Sequence, residues 1–459
     1  MMSHSLSDRH VAVVGAGIAG LTAAYRLQRA GVRVTVFDAQ PVVGGRMGDR
    51  REGDLVFNSG ARLVYPFGQA FNRIVAELSL NDALVPLHRL SAQCIAPGGE
   101  HTIELMPSPR SLATPGLAAG ERLRLITHAL SMRRLKPRVD PDWATSALDA
   151  DPRLDRITLA EYIRETLGPN VLARMVEPVF RATRSFNPET LSALFYASTV
   201  PHMIGESAVH TLKGGMGRVC QVLAAQLTVR TATPVRTIQR GATGDGVDLT
   251  LANGEHVHAD YAVCAVEGSL AKSLVQAPTS AERTMLDAVR YNVLGVVHYG
   301  FALPLPPKMN FAMRGQPGRI ATYQQLPVTP GGGRPLNQIY CQLTPEAADE
   351  AVRRGLENEL DVLVREELRT RIPDFDRHVV AVANQWIPRK LPVFSPGYGA
   401  RVANFWAWQE DRRQGGGSPI VYCGDWLSQA LLTGACASGE RAAKTLVARM
   451  QAALTCASA

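Results

Sequence analysis

Three glycines near the N-terminus have the spacing that a dinucleotide-binding turn requires. Gly15, Gly17 and Gly20 follow a short apolar run and begin a segment whose apolar residues recur at helical spacing. The first glycine permits a tight turn, the second lets the backbone approach a pyrophosphate, and the third lets the helix pack closely on the strand. The N-terminus of the helix then presents free N–H groups to the anion. The pattern predicts a dinucleotide site that also includes the backbone of Ile18 and Ala19.

The strand after this helix ends in an acid. Asp38 lies 18 residues beyond Gly20, at the position where a carboxylate accepts hydrogen bonds from the adenosine ribose, and Ala39 follows it. An acid at this position disfavours a 2′-phosphate, and we therefore do not expect NADP. Nicotinamide and flavin dinucleotides share the adenosine half, so these residues alone leave both open.

Three more motifs distinguish a flavin from a nicotinamide dinucleotide. They are Gly44-Gly45-Arg46 after the acid, Gly424-Asp425 near the C-terminus, and Thr433-Gly434-Ala435 eight residues later, where a long Ala-rich helical pattern begins. Together with the glycine turn, these motifs resemble those of the flavin-dependent amine oxidase superfamily. That superfamily includes monoamine and polyamine oxidases, protoporphyrinogen oxidases and phytoene desaturases. The resemblance extends over the whole chain and implies FAD.

The resemblance also assigns roles to individual residues. The two glycines before Arg46 would let the loop pass close to the flavin diphosphate, with the arginine beside it. Asp425 would lie near the ribityl–diphosphate junction, Val235 would contact the adenine through its backbone, and the terminal helix would begin under the isoalloxazine. Members with covalent FAD attach it through a cysteine ahead of the terminal motif, and no cysteine lies between Cys341 and Cys423. We therefore expect noncovalent FAD.

The hydrophobic periodicity predicts an α/β protein. Apolar strands alternate with helices at both ends of the chain, which indicates a parallel sheet covered on both faces. The resemblance implies a Rossmann-like FAD-binding domain interleaved with an α+β substrate-binding domain, as in the amine oxidase and p-hydroxybenzoate hydroxylase architecture. The turn signal Ala252-Asn253-Gly254 predicts a hairpin. We assign residues 1–79, 206–288 and 401–459 to the FAD-binding domain, and 80–205 and 289–400 to the substrate-binding domain.

Substrate-facing residues carry weaker signals. The segment NSGARLVYP resembles the family's strand near the flavin ring, and places Gly60, Ala61 and Arg62 at the cofactor, with Arg62 available to anionic substrate groups. The segment Ala173–Phe195 resembles the helices that protoporphyrinogen oxidases and desaturases place over the flavin. The candidate catalytic residues are Arg62, Arg181, His210 and Trp386, and Arg184 is a further candidate in the same segment as Arg181. Each has an ordinary packing or surface role as its alternative. Aromatic residues that could line the pocket are Tyr340, Trp386, Trp406 and Trp408.

The absence of a lysine from one segment distinguishes between branches of the family. Amine oxidases of this superfamily often carry a lysine that holds a water against flavin N5, and the matching segment Val289–Pro306 contains none. Its internal polar side chains are those of Tyr291, Asn292 and His298. This pattern favours the protoporphyrinogen oxidase and desaturase branch over a standard amine oxidase.

These features predict an FAD-dependent oxidoreductase, acting as an oxidase, dehydrogenase or desaturase. It would transfer a hydride from a C–H or C–N unit of a small, hydrophobic or cyclic metabolite to flavin N5, with O2 as the acceptor and release of H2O2. Three alternatives stay open at this point. They are an amine or amino-acid oxidase that forms an imine, a non-redox isomerase or cyclase that uses reduced flavin, and a flavin-binding subunit without turnover.

Composition and sequence pattern limit the binding partners and the cellular location that we expect. Seven scattered cysteines form no CxxC pair and no spacing typical of metal ligands, so we expect neither disulfides nor a metal. No apolar run reaches the roughly 20 residues that span a bilayer, and the N-terminus lacks a signal sequence, so we expect a cytoplasmic protein. The basic segment Gly120–Val139 indicates at most a weak contact with the inner face of a membrane. No motif indicates nucleic-acid binding, and the oligomeric state is open.

Overall fold

The sequence folds around two sheets that face a common cavity. The computed structural model describes residues 5–53, 55–88, 90–96, 99–241, 246–326, 337–411 and 418–458. The first sheet is parallel and consists, in spatial order, of Ile420–Tyr422, Tyr261–Cys264, His10–Val14, Arg33–Phe37 and Val229–Arg230. All five strands of this sheet fall within the three segments assigned to the FAD-binding domain. The domain limits themselves stay a prediction.

Two helices cover the parallel sheet near the glycine turn. Helix Ile18–Arg29 follows the first strand, and its apolar positions Leu21 and Leu27 are fully buried. The terminal helix, Leu432–Ser458, packs against it so closely that a Cβ at Gly439 would collide with the carbonyl oxygen of Ala19. The last helix of the chain therefore packs directly on its first helix.

The second sheet has seven strands and provides the other side of the cavity. In spatial order its strands are Val379–Pro392, Tyr291–Phe301, Asn337–Leu343, Ile320–Leu326, Lys308–Ala312, Ser91–Ala96 and Gly99–Glu104. Alternate side chains of a strand point to opposite faces. In Tyr291–Phe301, Val297 and Tyr299 pack towards helices Pro345–Arg354 and Asp361–Arg371, whereas Leu294 and His298 line the cavity.

Smaller sheets connect these two. The strands Val235–Arg240, Val247–Leu251 and His256–Ala259 form an antiparallel sheet, which confirms the hairpin predicted at Asn253. Two further pairs are Asp49–Glu52 with Leu55–Asn58, and Leu84–His88 with Ala208–Leu212. The remaining helices of eight or more residues are Gln69–Glu77, Ala119–Leu135, Leu159–Thr166, Leu194–Met203, Gly217–Ala224, Ser280–Ala288 and Tyr398–Glu410, with the shorter helix Gly268–Leu274 between two of them.

An irregular helical segment runs from Pro169 to Arg184. It alternates α-helical turns with π-helical stretches at Leu172–Val176 and Phe180–Arg184. Insertions of this kind rotate the side chains that follow them and occur frequently at functional sites. Within the described residues, no helix combines the length and apolarity needed to cross a membrane.

Candidate active site

A continuous cavity of about 1020 Å³ lies between the two sheets. Its first part, here called the cofactor end, is formed by the loops after the parallel strands and includes Gly15, Asp38, Arg46 and Asp425. Its second part, the sheet end, is formed by the seven-stranded sheet and neighbouring segments, and includes Arg62, Arg184, His298, Tyr340 and Lys390. The carboxyl edge of a parallel sheet is where α/β proteins bind their ligands.

The glycine turn is built for close approach of a ligand to the backbone. Gly15 has a positive φ of 108° and donates its N–H to Phe37 O at 2.8 Å. A Cβ at Gly20 would collide with the carbonyl oxygen of Gly15, so the third glycine is required by helix packing. A Cβ at Gly17 would meet no protein atom within 4 Å, because that backbone faces the cavity at the start of helix Ile18–Arg29. The turn therefore leaves its second glycine open to a ligand.

Asp38 is oriented by the same turn. Its Oδ2 accepts a hydrogen bond from Ala16 N at 2.6 Å, and its Oδ1 accepts one from Gln40 N at 2.7 Å. Burial raises the pKa of this carboxyl, although the two backbone donors oppose the shift. Each carboxylate oxygen can accept further hydrogen bonds, so the predicted contact with a ribose is compatible with this geometry.

The second glycine motif joins the first to the C-terminal motif. Gly44 N donates to Ala16 O at 2.9 Å, which holds the loop against the glycine turn. The Arg46 guanidinium then donates to both carboxylate oxygens of Asp425, each at 2.9 Å, and to Lys390 O at 2.7 Å. Burial lowers the pKa of Arg46, but Asp425, Tyr291 and Glu267 together outweigh burial and raise the pKa overall. Residues 379 positions apart thus form one bidentate ion pair in the cavity wall.

The terminal helix completes the cofactor end. Its first turn contributes Thr433 and Ala435 to the cavity wall, and Thr433 Oγ1 donates a hydrogen bond to Asp142. Gly434 does not line the cavity, because it packs against Gln429, whose carbonyl oxygen a Cβ would strike. The helix begins at Leu432, two residues before the start that its sequence pattern predicts.

Most predicted cofactor residues meet at this cavity, whereas Gly20 and Gly434 have packing roles. Those that line it are Gly15, Gly17, Ile18, Ala19, Asp38, Ala39, Gly44, Gly45, Arg46, Gly60, Ala61, Arg62, Val235, Gly424, Asp425, Thr433 and Ala435. A glycine cradle, a helix N-terminus and an acid at the end of the second strand are the groups that bind a dinucleotide, and the half-buried Arg46 adds a positive charge. These residues therefore fit FAD. The individual contacts remain predictions.

The sheet end contains two predicted polar residues in contact with aromatic rings. Arg62 donates to Gln324 Oε1 at 2.9 Å, and its Cζ lies 3.8 Å from the centroid of the Tyr340 ring. His298 stacks on Phe57 with ring centroids 4.3 Å apart, and its Nε2 lies 3.1 Å from Gln385 Oε1. Burial lowers the pKa of His298 to about 4, so its imidazole is neutral at physiological pH.

Sequence reasoning missed one buried lysine at this end. Lys390 lies on the strand Val379–Pro392, which pairs with Tyr291–Phe301, the strand in which a lysine was sought. Its neighbour Leu391 is opposite Asn292 in that pairing. The lysine therefore reaches the cavity from the adjacent strand. A signal that could have found it is the basic pair Arg389-Lys390 within the otherwise apolar stretch from Trp386 to Phe394.

Three candidate catalytic residues lie away from the cavity. Arg181 forms an ion pair with Glu346, with an N–O distance of 2.7 Å. His210 lies in a short strand, where it exchanges backbone hydrogen bonds with Val64. Trp386 packs against the core between the seven-stranded sheet and its helices, on the opposite face from the cavity-lining Ile387. Of the four candidates, the structure brings only Arg62 to the cavity.

Known proteins of similar sequence and structure agree with this geometry. The sequence profile described as flavin containing amine oxidoreductase matches residues 18–447. Protoporphyrinogen oxidase 2 of Arabidopsis thaliana is 25% identical over 189 residues, which is 41% of this chain and 35% of that protein. The putative flavin-containing monoamine oxidase AofH of Mycobacterium tuberculosis is 29% identical over 274 residues, or 56% of each chain. The matched regions thus span about a third to about half of these relatives.

A solved structure covers nearly the whole fold. The structure of putrescine oxidase bound to putrescine has a TM-score of 0.73 and 18% identity, over 96% of this chain and 99% of that one. Among the residues that the structure describes, no cysteine lines the cavity. The chain therefore belongs to the flavin-containing amine oxidoreductase family, and the cofactor that this family implies is FAD.

Proposed function

We propose that this enzyme oxidises a C–H or C–N unit of a small, hydrophobic or cyclic metabolite. FAD, when bound, supplies the acceptor for the hydride at flavin N5 and passes the electrons to O2 with release of H2O2. The supporting observation is that one cavity runs from the dinucleotide turn to an apolar wall of the large sheet. A substrate at the sheet end would therefore share one continuous cavity with the cofactor.

Two polar side chains of the sheet end are expected to bind and orient a substrate without exchanging protons at neutral pH. Among the described residues at the sheet end, His298 is neutral and hydrogen-bonded to Gln385, and the phenol of Tyr340 donates to Gln342 at 3.2 Å. Burial raises the pKa of Tyr340. Both groups therefore keep one protonation state across neutral pH. Such walls orient a substrate and remove water from around it, which strengthens every electrostatic interaction inside the cavity.

The proposal is tested by anaerobic titration of the FAD-loaded protein. A panel of cyclic amines, porphyrinogens and polyenes is added without oxygen, and loss of the oxidised-flavin absorption band is followed. We expect one class to bleach the band, and admission of air to restore it with stoichiometric H2O2. A protein that retains FAD but is bleached by no class would contradict the proposal and favour the flavin-binding subunit without turnover.

Amine oxidation to an imine is the second candidate, and the similarity to a monoamine oxidase supports it. It predicts that an amine bleaches the flavin and that the product hydrolyses to a carbonyl compound. The non-redox isomerase or cyclase predicts product formation without consumption of an acceptor. The titration separates these outcomes, because only the first two consume O2 after bleaching.

We also propose a cytoplasmic enzyme with a weak contact to the inner face of a membrane. Helix Ala119–Leu135 exposes Leu123, Ile126 and Leu130 by 64%, 46% and 49%. These positions share one face, and between residues 122 and 139 the chain has six basic and no acidic residues. We expect sedimentation with vesicles that contain anionic lipid, and none with zwitterionic vesicles. Equal binding to both, or to neither, would contradict the proposal.

A further inference from the structure

The sheet end of the cavity carries a cluster of basic side chains without acidic partners. Within the described part of the chain, no carboxylate lies within ion-pair distance of the four cationic residues that line it, which are Arg62, Arg184, Arg389 and Lys390. The acids that line the cavity belong to the loops around the cofactor end, and are Asp38, Asp49, Glu267 and Asp425. Of these, Asp425 is neutralised by Arg46. Charge is therefore separated along the cavity, with excess positive charge where a substrate would bind.

Lys390 is one of the two buried members of this cluster, together with Arg184. Lys390 is 9% exposed. Its Nζ donates hydrogen bonds to two neutral acceptors, Thr183 O and Ser185 Oγ, each at 3.3 Å. Burial and the positive charges of Arg62 and Arg184 lower the pKa of Lys390 well below its ordinary value. A buried ammonium is costly unless an anion compensates it. The site is thus arranged to gain from an anion that enters the cavity.

Arg184 also lacks an acidic partner, whereas Arg181, three residues earlier, has one. Both arginines are buried, with exposures of 7% and 5%. Arg181, which is away from the cavity, donates to both carboxylate oxygens of Glu346. Arg184, which lines the cavity, donates to the neutral oxygens Thr183 Oγ1 at 3.1 Å and Tyr65 Oη at 2.9 Å. Helix Pro345–Arg354 thus provides a carboxylate to Arg181, whereas Arg184 is left for a ligand.

The walls next to these cations are apolar. They include Leu63, Leu90, Leu105, Met309, Phe311 and Ile387. A ligand that matches both features has an apolar body and an anionic group. Arginine favours carboxylates because its planar N–H groups can engage both oxygens. A protonated amine would be repelled by the same cluster.

We propose that the substrate carries a carboxylate on an apolar body, and that Lys390 and Arg184, together with Arg62, bind this carboxylate. The inference deepens the proposed function and rests on it for the assignment of the sheet end to the substrate. It places this enzyme apart from oxidases whose substrates are small cationic amines. Recognition requires no turnover and is therefore measurable by binding alone.

The test uses three probes of nearly equal shape: 3-phenylpropionate, 3-phenylpropanamide and 3-phenylpropylamine. Their binding to the FAD-loaded protein is measured by isothermal titration calorimetry under nitrogen, with the flavin spectrum recorded in parallel. We expect the carboxylate to bind roughly tenfold or more tightly than the amide, and the amine more weakly than both. Lys390→Met and Arg184→Gln should each remove most of this preference. Arg181→Gln is the matched control and should keep it.

Several outcomes would overturn the proposal. They are absence of saturable carboxylate binding, equal binding of the three probes, tighter binding of the amine, and a preference that survives both cavity substitutions. Loss of FAD affinity in Lys390→Met with unchanged probe selectivity would assign the cluster to the cofactor instead. Failure of the proposed function is distinguishable, because it appears as an unbleached flavin whether or not the carboxylate binds.

Discussion

The cofactor end and the sheet end of the cavity differ in which atoms form their walls. At the cofactor end, backbone atoms form the wall: glycines, helix-initial N–H groups and short loops that follow the parallel strands. At the sheet end, side chains form it, and they come from segments as far apart as Arg62 and Lys390. A backbone-lined wall binds the invariant part of a cofactor, whereas a side-chain wall can be changed residue by residue. The difference explains why one fold accommodates many substrates around one cofactor.

The largest effect should come from two alanine substitutions in the glycine turn. In Gly20→Ala, the new Cβ would collide with the carbonyl oxygen of Gly15, so we expect loss of folded protein. In Gly17→Ala, the Cβ meets no protein atom within 4 Å, and the backbone conformation is one that alanine adopts readily. Its apo form should lose no more than about 1 kcal/mol, while FAD affinity should fall roughly tenfold or more.

Thermal unfolding of the apo forms and fluorescence titration with FAD measure the two quantities separately. If Gly17→Ala bound FAD as the parent does, that glycine would not face the pyrophosphate and the cofactor end would be wrongly assigned. If Gly20→Ala were stable, the close packing of the turn would be wrong instead.

A smaller but still large effect is expected at the ion pair between Arg46 and Asp425. Asp425→Ala leaves a partly buried guanidinium without its carboxylate, and removing one partner of such a pair costs about 2–4 kcal/mol. We expect a lower melting temperature and loss of FAD during gel filtration. Glu255→Ala, which breaks the exposed pair with Arg230, is the control and should cost about 0–1 kcal/mol. Retention of FAD by Asp425→Ala would remove Asp425 from the cofactor end.

The two ends also differ in how far the sequence predicts them. The glycine turn, Asp38 and the motif around Arg46 lie within contiguous stretches, since each needs only a strand, a turn and a helix in order. The sheet end depends on pairing between distant strands. Trp386 and Ile387 are adjacent in sequence but face opposite sides of the sheet. An error of one residue in the predicted register would therefore assign a core residue to the cavity and a cavity residue to the core.

The irregular helix adds a second source of error. In an α-helix, Arg181 and Arg184 would share a face because they are three residues apart. The stretch Phe180–Arg184 is π-helical, and the two side chains have different surroundings, Glu346 for one and Tyr65 for the other. Such insertions have no recognised sequence signature. Arg181 was therefore as good a candidate as Arg184 until the backbone geometry was known.

Acid should weaken the sheet end through His298. Its pKa in the folded protein is about 4, below the value of about 6.5 for a free histidine, so the folded state binds fewer protons between these values. Stability that is complete above pH 6.5 is then lost as pH falls towards 4, by roughly 2–3 kcal/mol for this group. His298→Gln should show a flatter decline in the free energy of unfolding over that window. Denaturant unfolding of both apo proteins at pH 8, 6 and 4.5 measures the difference, and parallel curves would contradict it.

The smallest predicted effect concerns the proton of Lys390. Burial and the charges of Arg62 and Arg184 lower its pKa, while the pair formed by Arg46 and Asp425 beside its backbone carries no net charge. A bound carboxylate would favour the ammonium form, so its binding should take up protons above the lowered pKa. Calorimetry of 3-phenylpropionate in buffers of different ionisation enthalpy measures this uptake, which Lys390→Met should abolish and Arg181→Gln should keep. Binding without uptake in the parent protein would mean that Lys390 is already charged in the cavity. The carboxylate would then be held by cations whose protonation does not change, and the sheet end would resemble the cofactor end in having a fixed charge.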